Sequence, residues 1–97
     1  GPVVPILSFH TDDEAVEMAN RSVFGLSSCI FTADSKRAHR MAARLEAGSV
    51  IINGSTFLRS FEMPFGGWKQ SGVGTEGVMS TFEEMTRTKV LAFKNLL

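Results

Sequence analysis

The residues Gly72-Val73-Gly74-Thr75-Glu76-Gly77 spell G-x-G-x-x-G. At that spacing a tight turn can deliver a pyrophosphate to a helix N-terminus. The chemistry also needs a buried strand directly before the turn and an acidic residue about 20 positions after it. Gly66-Gly67-Trp68-Lys69-Gln70-Ser71 precede the hexad instead, and no acid stands at the required distance beyond it, so it reads as a glycine-hinged loop entering a helix. Cys29 could act as a nucleophile only as a thiolate in an electropositive setting. It lies between Ser28 and Ile30 in an expected core strand, which makes it a buried, inert thiol. His10 and His39 have no partner at metal-ligand or triad spacing, so both read as solvated and no metal site is expected. Asp12-Asp13 and Glu83-Glu84 read as helix-dipole complements or exposed faces, and Arg37, Arg40 and Arg44 as a solvated basic stripe. No complete catalytic constellation is present, and no catalytic residue is assigned.

The elements that would position these residues alternate. Residues 3–9 are short, apolar and start between prolines, as an opening or edge strand does. Thr11 with Glu14 has capping-box spacing, and Ala15, Met18, Ala19 and Ser22 follow at the period of a helix face. Gly25 closes that unit, and residues 26–32 read as a second strand. Asp34 or Ser35 caps a second helix carrying Ala38, Met41, Ala42 and Leu45, with Gly48 as its stop. Ser49-Val50-Ile51-Ile52 is a third strand, expected to be buried on both faces. This is an α/β pattern of βαβαβ order, for which parallel pairing is expected. Six of the nine glycines then fall between Gly54 and Gly77, in an aperiodic stretch with Phe57, Phe61, Phe65 and Trp68. Such aromatic content favours an ordered loop that packs on something. A third helix is expected over about residues 76–86, with Val78, Phe82 and Met85 on one face, then a last strand over residues 89–93.

Composition narrows the function classes. Ten Lys plus Arg balance ten Asp plus Glu, so the basic excess of a nucleic-acid binder is absent. No apolar run approaches the roughly 18 residues of a membrane span, and no signal peptide is visible. One cysteine excludes an internal disulfide and a multi-cysteine zinc site. The simplest expectation is one small domain in a reducing cytoplasm, with neither nucleic acid nor membrane as partner.

The segment from Pro64 to Gly77 resembles the C-terminal region of the NAD(P)-dependent aldehyde dehydrogenase superfamily. The family pattern is P-F-G-G-x-K-x-S-G-x-G-R-E-G, matched at every specified position except Thr75, where Arg is usual. Gly1-Pro2-Val3 with Ile6, Ala19-Asn20, Phe24-Gly25-Leu26-Ser27, Ala47-Gly48 and Ile51-Ile52-Asn53 resemble further family segments in order. The resemblance implies an oxidoreductase that converts an aldehyde to a carboxylate with NAD or NADP through a cysteine thioester.

The resemblance also implies that the nucleophilic cysteine, general-base glutamate, oxyanion-hole asparagine and cofactor domain lie N-terminal to this segment. Cys29 does not correspond to that nucleophile, and the 97 residues alone are expected to bind no cofactor and to be inactive. Residues 1–87 would be the C-terminal part of the catalytic domain, and residues 88–97 a terminal oligomerisation strand supporting a homo-oligomer. Phe57, Leu58 and Arg59 would occupy the loop that discriminates aldehydes, with Phe65 beside the substrate. A different class of reading, a non-enzymatic fragment acting only as a folded or interaction module, stays open at this point.

Overall fold

The structure is a computed structural model that describes residues 1–96. Its first helix, α1 (Asp12–Asn20), begins as the capping pattern dictates. Thr11 sits extended at the N-cap and its hydroxyl accepts the Glu14 N–H at 3.1 Å, while the Glu14 carboxylate reaches back to accept the His10 N–H at 2.8 Å. In α2 (Ser35–Ala42), the Asp34 carboxylate accepts the Arg37 N–H at 3.0 Å. Four short strands complete the scaffold: β1 (Phe24–Gly25), β2 (Ser27–Ile30), β3 (Ser49–Ile52) and β4 (Trp68–Lys69). α3 (Val78–Met85) ends the regular structure among the described residues.

β2 and β3 pair in parallel with α2 as the crossover, in the register Ser27↔Ser49 through Ile30↔Ile52. β1 pairs antiparallel with β4, Gly25 facing Trp68. The core consists of Val16, Ala38, Met41 and Ile51, one contact layer between helices and sheet. Ala38 and Met41 of the expected α2 face are buried, whereas Ala42 is half-buried and Leu45 lies beyond the helix end. In α1 the buried position is Val16, one residue away from the expected Ala15–Met18–Ala19 face.

One βαβ unit forms rather than the expected βαβαβ. Residues 3–9 carry no regular structure and pair with no strand among the described residues, and Val3, Val4 and Ile6 are each more than four-fifths exposed. Residues 89–93 likewise form no strand, and of the expected terminal segment Leu97 lies outside the described residues. The reason is common to both: a strand exists only through a ladder partner, and the described residues supply none at either place. The radius of gyration, 19.3 Å against about 12–13 Å for a compact domain of this length, reflects these protruding ends.

Other expectations are corrected by the same thin layering. Ile52 is 41% exposed, so β3 is not covered on both faces. Cys29 is exposed rather than buried, on the wall of an open cavity that the helices leave over β2. Val78, Phe82 and Met85 do share a helix, but none is buried. Phe57 and Phe61 pack on little, at 91% and 88% exposure. Gly25 and Gly48 do not stop helices, since α1 and α2 already end at Asn20 and Ala42. They permit close approach instead: a side chain at Gly25 would strike the Glu46 carbonyl, and one at Gly48 the Gly66 carbonyl.

Candidate functional site

The aperiodic stretch is held by its glycines. Phe65 and Glu76 exchange two backbone hydrogen bonds, at 2.7 and 2.6 Å, which folds residues 65–76 back on themselves. A Cβ at Gly66 would lie 2.6 Å from the Gly74 carbonyl, and one at Gly67 2.7 Å from the Ser71 side chain. Gly72, Gly74 and Gly77 take positive φ values of 138°, 80° and 151°, conformations that side chains rarely adopt. The hexad therefore closes a turn. No strand leads directly into it, so the residues present do not fit a dinucleotide site.

On this clamped turn Phe65 is half-buried, and the guanidinium carbon of Arg59 lies 4.0 Å from the centre of its ring. That is well within cation–π range. The loop before it is built from local turns, with the Leu58 N–H donating to the Ser55 carbonyl at 3.0 Å and the Phe57 N–H to the Ser55 hydroxyl at 3.1 Å. Of the four residues singled out for substrate contact, the structure brings Arg59 and Phe65 together. It leaves Phe57 and Leu58 on the open side of the loop, at 91% and 56% exposure.

Three other arginines are engaged elsewhere. Arg37 donates to Asp12 through Nε at 2.9 Å and through Nη2 at 2.5 Å, Arg40 reaches the same carboxylate at 3.5 Å, and Arg44 meets Asp13 at 2.6 Å. The stripe read as solvated is thus a clasp between α2 and the N-terminus of α1. Its register is set by the i, i+3, i+7 spacing of the arginines. The hydrogen bond from Arg37 holds the Asp12 carboxyl below its ordinary range, and the same contact raises Arg37.

Three residues escaped assignment from sequence, and each ties distant segments together. Asn53, at φ 52°, donates to the Thr32 carbonyl and accepts the Thr32 N–H, at 2.9 and 2.8 Å, extending the β2–β3 ladder by a side chain. Asn20 accepts the Glu46 N–H at 2.9 Å and donates to the Arg44 carbonyl at 2.8 Å. Lys69 donates to the Asn20 and Ser22 carbonyls, at 2.8 and 3.1 Å, and pairs with Glu46 at 2.5 Å. Their partners lie 21 to 49 positions away, beyond any periodicity. The one available signal was their place inside the quoted segments.

Among the described residues no group of three His, Cys, Asp or Glu could hold a metal ion. No described helix is long and apolar enough to cross a membrane. A cavity of about 380 Å³ lies between α1, α2 and β2, lined by Val16, Ile30 and Met41 among others, and it contains none of the loop residues above. The Ser28 hydroxyl, on its wall, has no hydrogen-bond partner among the described residues.

The sequence profile described as "Aldehyde dehydrogenase family" matches residues 1–91. The chain belongs to the aldehyde dehydrogenase family. It is 46% identical over 96 residues to the lactaldehyde dehydrogenase of Methanococcus vannielii, covering 99% of this chain and 21% of that protein. Among solved structures it resembles the NADP-dependent glyceraldehyde-3-phosphate dehydrogenase of Bacillus halodurans, complexed with NADP. The TM-score is 0.83 at 40% identity, covering 90% of this chain and 18% of that one. An aldehyde dehydrogenase of Bacillus cereus in its NAD+ complex gives the same TM-score and identity over the same shares. The chain thus spans about a fifth of the length of its curated aldehyde dehydrogenase relatives.

Proposed function

We propose that the chain is the C-terminal segment of an NAD(P)-dependent aldehyde dehydrogenase, where it forms part of the aldehyde pocket wall and of the subunit interface. The observation that carries this reading is the family match over residues 1–91, together with the folded Pro64–Gly77 motif that presents Phe65. Residues 1–87 complete the catalytic domain, and residues 88–97 form the terminal strand that pairs within a homo-oligomer. Residues 3–9 become a strand when the rest of the enzyme supplies a ladder partner, restoring the βαβαβ order.

In that setting Phe57, Leu58, Arg59 and Phe65 line the substrate side. Aromatic and aliphatic walls shield the reacting carbonyl from bulk water while the thiohemiacetal forms, and the thioester that follows must still meet a water to release the carboxylate. The nucleophile, the general base and the NAD or NADP site come from the remainder of the enzyme. This chain's own residues bind and orient the aldehyde, and the isolated chain performs no oxidation.

The test compares the full-length enzyme carrying this segment with the isolated 97 residues, on a panel of aldehydes with NAD and NADP. The reading expects NAD(P)H formation by the former and none above buffer by the latter. Activity of the isolated chain, or none of the full-length protein, contradicts it.

A further inference from the structure

We propose that Lys69 is a positioning residue of the pocket wall: its ammonium ties the turn that carries Phe65 to the end of α1 and to the α2–β3 link. The proposal rests on the pocket reading above and deepens it, since it concerns what places the ring rather than what the ring touches. Lys69 takes φ 52°, a left-handed conformation that residues with a Cβ rarely adopt. Its ammonium has three N–H donors and meets three acceptors: the Asn20 carbonyl at 2.8 Å, the Ser22 carbonyl at 3.1 Å and the Glu46 carboxylate at 2.5 Å. The Asn20 carbonyl ends α1, where the helix dipole favours a cation. The Asn20 side chain in turn accepts the Glu46 N–H at 2.9 Å, so one cation holds two segments that are already bonded to each other.

Phe65 stands four residues before Lys69, beyond Gly66 and Gly67. Its two backbone bonds to Glu76 close residues 65–76 on themselves, so the place of the ring is set by how this closed piece is mounted. The mount is short. β4 pairs with β1 over two residues, the Gln70 N–H donates to the Val23 carbonyl at 2.9 Å, and the Ser71 hydroxyl accepts the Gly25 N–H at 2.9 Å. These bonds run along one line of backbone, residues 68–71 against 23–25, and such a line acts as a hinge. Packing of Gly66 on Gly48 resists approach of the two parts but not separation. Lys69 reaches off the hinge line, to α1 and to Glu46, and supplies the tether against tilting. With up to about 13 Å of chain between Lys69 and Phe65, a tilt of about 5° displaces the ring by about 1 Å. A misplacement of that size near a reacting centre costs up to about a hundredfold in rate.

The experiment measures kcat and KM of the full-length enzyme for acetaldehyde and for phenylacetaldehyde, with a denaturation midpoint for every variant. Lys69→Met keeps the stem and removes the donors. It is expected to raise KM about tenfold for phenylacetaldehyde, which depends most on where the ring stands, and about twofold or less for acetaldehyde. Lys69→Arg, which keeps a cation with several donors, should recover most of the wild-type value. Glu46→Gln withdraws one charge and leaves both carbonyl bonds, so it carries the same test more gently and should raise the phenylacetaldehyde KM about threefold. In a Phe65→Ala background Lys69→Met should add nothing further, because the ring it places is gone. Asp12→Asn, which loosens the charge clasp away from the turn, should lower the midpoint and leave both KM values unchanged. Equal changes on the two aldehydes, or no change in either the Lys69→Met or the Glu46→Gln enzyme, overturn the proposal. So does an undiminished Lys69→Met effect in the Phe65→Ala background, or an Asp12→Asn enzyme that reproduces the Lys69→Met pattern. Phe65→Ala with unchanged KM for both aldehydes, or NAD(P)H formation from neither, removes the pocket reading itself, and the proposal with it.

Discussion

Residues 10–52 and residues 53–96 treat their polar and apolar groups in opposite ways. In the first region both helix N-termini are capped, four arginines meet carboxylates, and the four buried hydrophobic residues all lie there. In the second region Phe57, Phe61, Val78, Phe82 and Met85 stand open, α3 has no side-chain cap, and Arg59 rests on a ring. The contrast separates a region whose helix ends and charges are met internally, although Phe24 and Phe31 stay exposed there, from a surface shaped for something else. Exposed apolar area of this extent marks a contact face. The two regions are joined where Gly48 meets Gly66 and where Lys69 reaches Asn20 and Ser22.

That junction is the place to break the contrast most severely. Gly48→Val inserts a side chain where the Gly66 carbonyl already stands. It should cost about 3 kcal/mol in urea unfolding of the full-length enzyme, and an unchanged midpoint would show that the regions are not locked there. Asn53→Ala removes two hydrogen bonds to Thr32 at a residue with φ 52°. The expected loss is about 2 kcal/mol, with Asn53→Gly recovering the backbone share.

The charge clasp sharpens the picture through pH. Asp12 has a folded-state pKa lowered from 3.8 by the Arg37 hydrogen bond, so the unfolded chain binds more protons than the folded one in that window. Its stabilisation is therefore present above about pH 3.8 and fades as pH falls through the lower folded value. The Arg37 contribution, with a raised pKa, persists at all pH values below its ordinary range. Asp12→Asn should flatten the acid limb of the stability profile, read by denaturation midpoints from pH 2 to 7. The smallest effect belongs to Glu17→Ala. Its pair with Arg21 is about 70% exposed on both sides, and such pairs contribute little. No measurable midpoint shift is expected.

Local chemistry made the first region legible from its sequence. Thr11-Asp12-Asp13-Glu14 announces a cap, Ala38 and Met41 announce a buried face, and residues 49–52 announce a strand, because each signal is satisfied within a few positions. The stretches 3–9 and 89–93 carry strand composition without strand structure, since β-propensity states only that a residue suits a pleated, partly covered surface. The clasp was missed because its halves lie 25 and 31 positions apart, and each half alone looks like an ordinary solvated face. In the loop the residue types at Phe57, Leu58, Arg59 and Phe65 were legible, whereas the stacking of Arg59 on Phe65 depends on a turn closed by glycine contacts that no periodicity encodes.

Amide hydrogen exchange tests most directly whether the chain is an internally bonded unit bearing a surface completed by the rest of the enzyme. It is measured on the isolated 97 residues and on the same segment in the full-length protein. In the isolated chain, residues 12–52 should exchange more slowly than residues 3–9 and 88–96. In the full-length enzyme the two flanking stretches should gain protection comparable to β3. Flanks as protected as the helices in the isolated chain, or flanks still unprotected in the full-length enzyme, would contradict the account.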